Sequence, residues 1–173
     1  SNTDLALFSA GASVSAEYAP KAVSQGCVVV DNSSCFRYND EIALIVPEVN
    51  GDELSNYDLP SIIANPNCST IQMLVALKPI HEEFKIKRID ITTMQAVSGT
   101  GKEATEELLD QLSAYQGDNE LEKNVYPKQI ANNALPHCGV MGDNRYTEEE
   151  SKLLKETHKI LDSNIHVAAT CVR

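Results

Sequence analysis

Short apolar runs separated by small polar turns divide the chain into alternating strand-like and helix-like stretches. Leu5-Ala6-Leu7-Phe8 reads as a buried strand, and Ser9-Ala10-Gly11-Ala12 as the turn that ends it. Residues 13–25 carry a helical pattern, with Gly26 placed as the C-terminal stop. Cys27-Val28-Val29-Val30 is a continuous β-branched run of the kind found in strands covered on both faces. Strand, helix and strand with short joints predict a βαβ unit and a parallel sheet. Leu44-Ile45-Val46 and Ser61-Ile62-Ile63-Ala64 supply two more short strands, and Pro47 to Pro60 reads as surface connection between them.

Asn65-Pro66-Asn67-Cys68-Ser69-Thr70 then turns strand into helix, with Ile71, Met73-Leu74, Ala76-Leu77 and Ile80 at helical spacing. Pro79 is expected to kink or end that helix. Asn65 or Asn67 can cap it, which places Cys68 among unpaired backbone N–H groups at the positive end of the helix dipole. Such a position favours the nucleophilic thiolate; the alternative is a small buried apolar cysteine.

Further on, Ile86, Arg88, Asp90, Thr92 and Met94 alternate with Lys87, Ile89, Ile91 and Thr93 along one long strand. The Gln95 to Lys102 stretch that follows is rich in small residues, which let N–H groups converge on an anion or carbonyl, although most runs of this kind are plain turns. Residues 102–116 form an acidic amphipathic helix, and 116–128 a polar loop with few anchors. Thr147-Glu148-Glu149-Glu150 opens a capped helix that turns Leu153-Leu154, Thr157 and Ile160-Leu161 inward, and on it Glu149 and Lys152 share a face. Ile165 to Val172 is a final strand, followed by Arg173.

The whole reads as an α/β protein, α+β in its second part. Its 173 residues suffice for one or two domains. A net charge of −11, from 25 acidic and 14 basic residues, argues against a nucleic-acid partner. No apolar run reaches membrane-spanning length, and the five scattered cysteines make neither a disulfide framework nor a metal ribbon. We therefore expect a reduced, cytoplasmic protein without a metal. Ser1-Asn2 is readable as a cloning remnant. The Asp31 to Arg37 turn offers hydrogen-bonding groups and ends on an arginine, either a solvated loop charge, the commoner case, or a fork for phosphate or carboxylate.

In order along the chain, Leu5 to Gly11, Val30 to Ser34, Pro47 to Asn50, Asn65 to Thr70, Gln95 to Gly99, Asn133 to Pro136 and Thr170 to Arg173 resemble the aspartate-β-semialdehyde dehydrogenase family. The resemblance implies the second half of a Rossmann-like NADP-binding domain over residues 1–68 and part of a mixed-sheet catalytic and dimerisation domain over 69–173. It implies NADP-dependent reductive dephosphorylation of β-aspartyl phosphate to aspartate semialdehyde, toward lysine, threonine and methionine, by a homodimer or homotetramer. Cys68 matches the thioester-forming nucleophile and Gln95 the residue orienting the substrate. Arg37 and Lys152 match the phosphate-holding groups, Glu149 the partner of the substrate amine, Arg173 the fork for its carboxylate, and Asn67 a further substrate contact. Ser98 and Gly99 match cofactor contacts, with Ser9 and Gly11 as cofactor neighbours.

The family's Gly-rich fingerprint and its catalytic histidine have no counterpart, and none of His81, His137, His158 and His166 takes the latter's place. The chain is accordingly expected to be a central portion of the enzyme, inactive alone. A non-catalytic dimerisation module is the competing reading, and a cysteine hydrolase using Cys68 and a histidine a third.

Overall fold

The computed structural model describes residues 3–116 and 121–173. The supposed cloning remnant and residues 117–120 of the expected loop lie outside them. Two compact units form, Ser1–Ile89 with Lys152–His166, and Asp90–Ser151 with Val167–Arg173. The division expected at residue 68 does not coincide with this one, because residues 69–89 stay with the first unit and 152–166 return to it.

In the first unit, β1 (Leu5–Phe8), α1 (Ala12–Val23) and β2 (Val28–Asp31) form the predicted βαβ unit, with Leu5 opposite Val28 and Phe8 opposite Asp31 in parallel register. Gly26, at φ 88°, supplies the left-handed turn between α1 and β2. β3 (Ala43–Leu44) and β4 (Ile62–Ala64) complete a parallel sheet in the order β1-β2-β4-β3. Ala19, Val29 and Ile62 are buried at its heart, against Phe8, Val23, Phe36 and Ile42. β1 is not the buried strand its apolar run predicts: among the described residues it lies at the sheet edge, and its Leu5 and Leu7 stay 57% and 77% exposed.

The structure sharpens the sequence reading at two further places. Pro47–Asn50 is a short helix, α2, continued by a 3-10 turn over Gly51–Asn56, rather than plain surface connection. Pro47 pre-sets the first helical φ, and the buried Asn50 amide replaces ladder bonds by donating to Leu44 O (3.0 Å) and accepting from Val46 N–H (2.9 Å). Pro79 does not end α3 (Cys68–Phe84): the helix continues through it and closes at Lys85, whose N–H bonds His81 O at 2.9 Å. The lost proline N–H costs the helix one bond.

The remaining elements keep close to the pattern. β5 (Arg88–Met94) buries Ile89, half-buries Ile91 and Thr93, and exposes Arg88, Asp90, Thr92 and Met94. β6 (His166–Val172) pairs with it. α4 (Lys102–Gln116) seats Ala104 in a core with Tyr126, Ile130 and Leu135. From α4, Glu107 accepts the N–H groups of Asn124 (2.6 Å), Val125 (2.5 Å) and Tyr126 (3.3 Å), and Gln111 those of Ile130 (2.9 Å) and Ala131 (3.1 Å). Residues 124–126 of the segment expected to have few anchors are thus held, as are 130 and 131 just beyond it. α5 (Glu148–Ile160) starts on a reciprocal box: Glu150 Oε2 accepts from Thr147 N–H at 2.7 Å, and Thr147 Oγ1 from Glu150 N–H at 3.4 Å.

Candidate active site

The first unit's sheet ends in a row of amide and hydroxyl groups. Backbone bonds from Asn32 N–H to Phe8 O and from Asn65 N–H to Asp31 O, both 2.8 Å, carry the sheet pairing past the strand ends. Side chains continue the row: Asn65 Nδ2 donates to Asn32 Oδ1 at 2.7 Å, and Asn32 Nδ2 to Ser9 Oγ at 3.3 Å. Beneath it the fully buried Asp31 accepts from the hydroxyls of Ser15 (2.6 Å) and Ser33 (2.7 Å), fixing α1 and the following turn to β2. Ser9 and Gly11 lie exposed at the end of β1. Gly11 has φ 95°, and a Cβ there would meet none of the described residues within 4 Å.

Cys68 is the first residue of α3 and is exposed, not buried among apolar side chains. Asn67 caps that helix, its side-chain oxygen accepting the N–H groups of Ser69 (2.9 Å) and Thr70 (3.4 Å). Two of the N–H groups expected to be unpaired beside Cys68 are therefore satisfied by the cap.

Arg37 is 6% exposed, and three of its donors are engaged. Nε donates to Asn65 O (2.9 Å), Nη2 to Asn32 O (3.1 Å) and Nη1 to Glu156 Oε1 (3.2 Å). Glu156 is completely buried, and its other oxygen accepts Asn67 N–H at 2.7 Å. Burial pushes this carboxyl above its ordinary range, opposed by the Asn67 N–H, the Arg37 charge and the Thr70 hydroxyl. The Thr70 hydroxyl is buried and makes no well-formed hydrogen bond among the described residues. Sequence reasoning missed Glu156. Its signal was a charged residue on the stripe Leu153, Glu156, Thr157 and Ile160, whose three-and-four spacing marks the inward face of α5. Lys152 lies half-buried on the same helix.

In the second unit, Gln95 follows β5 and Arg173 follows β6. Arg173 Nη2 donates to Gln95 Oε1 at 2.8 Å, and Nη1 donates to Thr100 Oγ1. Backbone bonds with Leu135, at 2.5 and 2.9 Å, hold the arginine's own peptide. Its Nε is buried without a partner among the described residues, leaving a donor of the fork unused. The two half-buried side chains border an open hollow of about 780 Å³, together with Leu108, Leu112, Ile130 and Asn133.

Ser98 and Gly99 are exposed in a 3-10 turn, and a Cβ on Gly99 would lie 2.9 Å from Arg173 Nη2. Of the two readings of this small-residue run, the structure has the plain turn and not N–H groups converging on a ligand. The N–H groups of Gly99, Thr100 and Gly101 bond Ala96, Val97 and Ser98 oxygens at 2.9–3.2 Å instead. Glu149 is half-buried on α5, its N–H bonding Cys138 O at 3.3 Å. His81 contacts Asp162 at 3.6 Å and His158 Nε2 bonds Ile165 O at 2.8 Å, both within the first unit. Among the described residues, no group of three His, Cys, Asp or Glu side chains is arranged to hold a metal, and no helix is long and apolar enough to cross a membrane.

Parallel strands ending in a polar row define an α/β nucleotide-binding protein of Rossmann-like type, with a further mixed α/β unit following. The semialdehyde dehydrogenase NAD binding domain matches residues 1–57, and the semialdehyde dehydrogenase dimerisation domain residues 77–173. The chain belongs to the semialdehyde dehydrogenase family. It is 56% identical over its full length to the aspartate-semialdehyde dehydrogenase of Legionella pneumophila, covering 50% of that protein, and 53% identical over 98% of its length to the Aquifex aeolicus enzyme, covering 51%.

The crystal structure of aspartate semialdehyde dehydrogenase II from Vibrio cholerae superposes with TM-score 0.95 at 50% identity, and a form of it complexed with ASA with TM-score 0.94 at 49%. In each, 98% of this chain matches 51% of the other. The Candida albicans enzyme with NADP gives 0.69 at 25% identity, with 98% of this chain matching 46% of that one. The chain thus spans about half the length of the relatives it matches.

Proposed function

We propose that the protein is a cytoplasmic aspartate-semialdehyde dehydrogenase. It reduces β-aspartyl phosphate to the semialdehyde with NADP as cofactor, through a thioester on Cys68, toward lysine, threonine and methionine. The observation that carries this reading is Cys68 itself, exposed at the first residue of α3 behind its Asn67 cap, in a chain whose family is settled by both domain matches.

The Cys68 sulfur attacks the acyl carbon, the bond from that carbon to the phosphate oxygen breaks, and inorganic phosphate leaves with the electron pair. Covalent capture divides one difficult reduction into two easier steps. When bound, the reduced nicotinamide supplies the hydride that turns the thioester into the aldehyde and frees the sulfur. Ser9 and Asn32 at the strand ends, and the open space over Gly11, fit part of a dinucleotide; Ser98 and Gly99 are assigned to its nicotinamide end. Arg37 and Lys152 are assigned to phosphate, Glu149 to the substrate amine, Arg173 to its carboxylate, with Gln95 and Asn67 orienting it. Fixing reactants in this manner can supply about 7–11 kcal/mol of a reaction barrier. The dimerisation-domain match supports a homodimer or homotetramer.

Replacing Cys68 by Ala in the protein carrying this chain should lower phosphate-dependent oxidation of aspartate semialdehyde by about 10⁴-fold or more. Turnover surviving in that variant refutes the reading. The 173-residue chain by itself is expected to show none. A non-catalytic dimerisation module, favoured by the match over residues 77–173, requires that Cys68, exposed as it is, react with alkylating reagents no faster than a free small-molecule thiol.

A further inference from the structure

Glu156 touches both ends of the first unit's proposed chemistry. Its carboxylate is fully buried and divides its two oxygens: Oε1 takes Arg37 Nη1 at 3.2 Å, and Oε2 takes the N–H of Asn67 at 2.7 Å. Asn67 is the cap of α3 and the immediate neighbour of Cys68. Arg37 also donates to Asn32 O and Asn65 O, both uncharged carbonyls, and Glu156 is the charged group that it pairs with. One helical turn further along α5, Lys159 Nζ donates to the carbonyls of Arg37 (3.0 Å), Asn39 (2.6 Å) and Ile42 (2.9 Å). Helix α5 therefore grips the Arg37 segment at two points, the guanidinium and the backbone, and grips the start of α3 with the same carboxylate.

We propose that Glu156 is a positioning residue, which sets the Arg37 guanidinium at a fixed distance from the peptide that carries Cys68. The inference rests on the roles assigned to Cys68 and Arg37 above. A buried ion pair is weak support for stability, because desolvating two charges opposes the attraction between them. Holding geometry is the stronger reason for such an arrangement, and only a group with two acceptors can perform it. Gln offers one oxygen and an NH₂. Its NH₂ would confront either Arg37 or the Asn67 N–H, both of which are donors, so one arm must break.

The test is Glu156→Gln in the protein carrying this chain, read in three ways: KM for inorganic phosphate, KM for aspartate semialdehyde, and the alkylation rate of Cys68 relative to Cys35. The expected result is a phosphate KM at least tenfold higher, a semialdehyde KM within twofold of the parent, and a Cys68 rate changed at least threefold. A folded variant with the parent's phosphate KM and Cys68 rate overturns the inference. Should Glu156→Gln not fold, Glu156→Asp keeps the charge but retracts it by one methylene, so that it reaches a single partner. The same rise in phosphate KM supports the proposal there, and full rescue by Asp overturns it. Parent protein that turns over without phosphate, or without Cys68, removes the underlying reading and this inference with it.

Discussion

Arg173 and Gln95, 78 positions apart, meet where their strands end, Nη2 donating to Oε1 at 2.8 Å. Gly99 lies against the same guanidinium, with room for hydrogen but not for a methyl group, since its Cβ would sit 2.9 Å from Nη2. The guanidinium is held by Gln95 and Thr100 and cannot swing away without losing them.

Gly99→Ala should therefore displace the Arg173 fork while leaving the fold intact. A hydrogen bond to a charged group is worth about 1.5–3 kcal/mol, which corresponds to a rise of one to two orders of magnitude in KM for the semialdehyde. Arg173→Lys should do the same by removing the planar fork. The check is steady-state kinetics beside a thermal melt; an unchanged KM in Gly99→Ala contradicts the placement of the substrate carboxylate.

Cysteine reactivity should follow burial. Cys27, Cys138 and Cys171 are buried and Cys35 is half-buried, whereas Cys68 is exposed. Burial pushes the Cys138 thiol up to about 11, the nearby Arg173 charge opposing, and burial raises Cys171 and Cys35 as well. Iodoacetamide at pH 8 should modify Cys68 first, with Cys138 and Cys171 reacting only on unfolding. Peptide mass spectrometry at timed intervals reads the order directly.

Glu156 makes stability depend on pH with a definite sign. Burial raises its folded-state pKa above the ordinary 4.5. Its favourable contribution is therefore complete below pH 4.5 and declines as pH rises through the folded pKa. Glu156→Gln removes this dependence. The melting temperature of the parent minus that of the variant should fall as pH is raised through that window, and a difference that grows with pH contradicts the direction.

Lys159→Met should loosen the segment from Arg37 to Ile42 by removing three hydrogen bonds from one ammonium group. The loss is expected at about 1–3 kcal/mol, since the interaction is charge-assisted but only partly shielded from water. Hydrogen exchange should accelerate in residues 37–42 more than in β2 or β4.

Much of this architecture was legible because its signals are local. The βαβ unit, the full extent of α4 and the capped start of α5 follow from apolar spacing, Gly26 and the Thr147–Glu150 box. What could not be read depends on partners distant in sequence. Pro47–Asn50 becomes a helix partly because the Asn50 amide serves the backbone around β3. The small residues after Gln95 close on themselves as a 3-10 turn, an outcome that their sizes permit but do not specify. Arg37 was legible as an arginine at a strand end, but its burial against Glu156, 119 positions away, was not. The return of residues 152–166 to the first unit was equally invisible, because α5 shows periodicity without stating which core it serves.

The edge position of β1, with Leu7 77% exposed, bears on how any measured mass is to be understood. An uncovered strand is a template on which a second molecule can add its own strand. Concentration-dependent association of the 173-residue chain thus has two possible origins, this template and the surface of the matched dimerisation domain. Centrifugation of a Leu7→Lys variant separates them: loss of the associated species assigns it to the template, and persistence assigns it to the other surface.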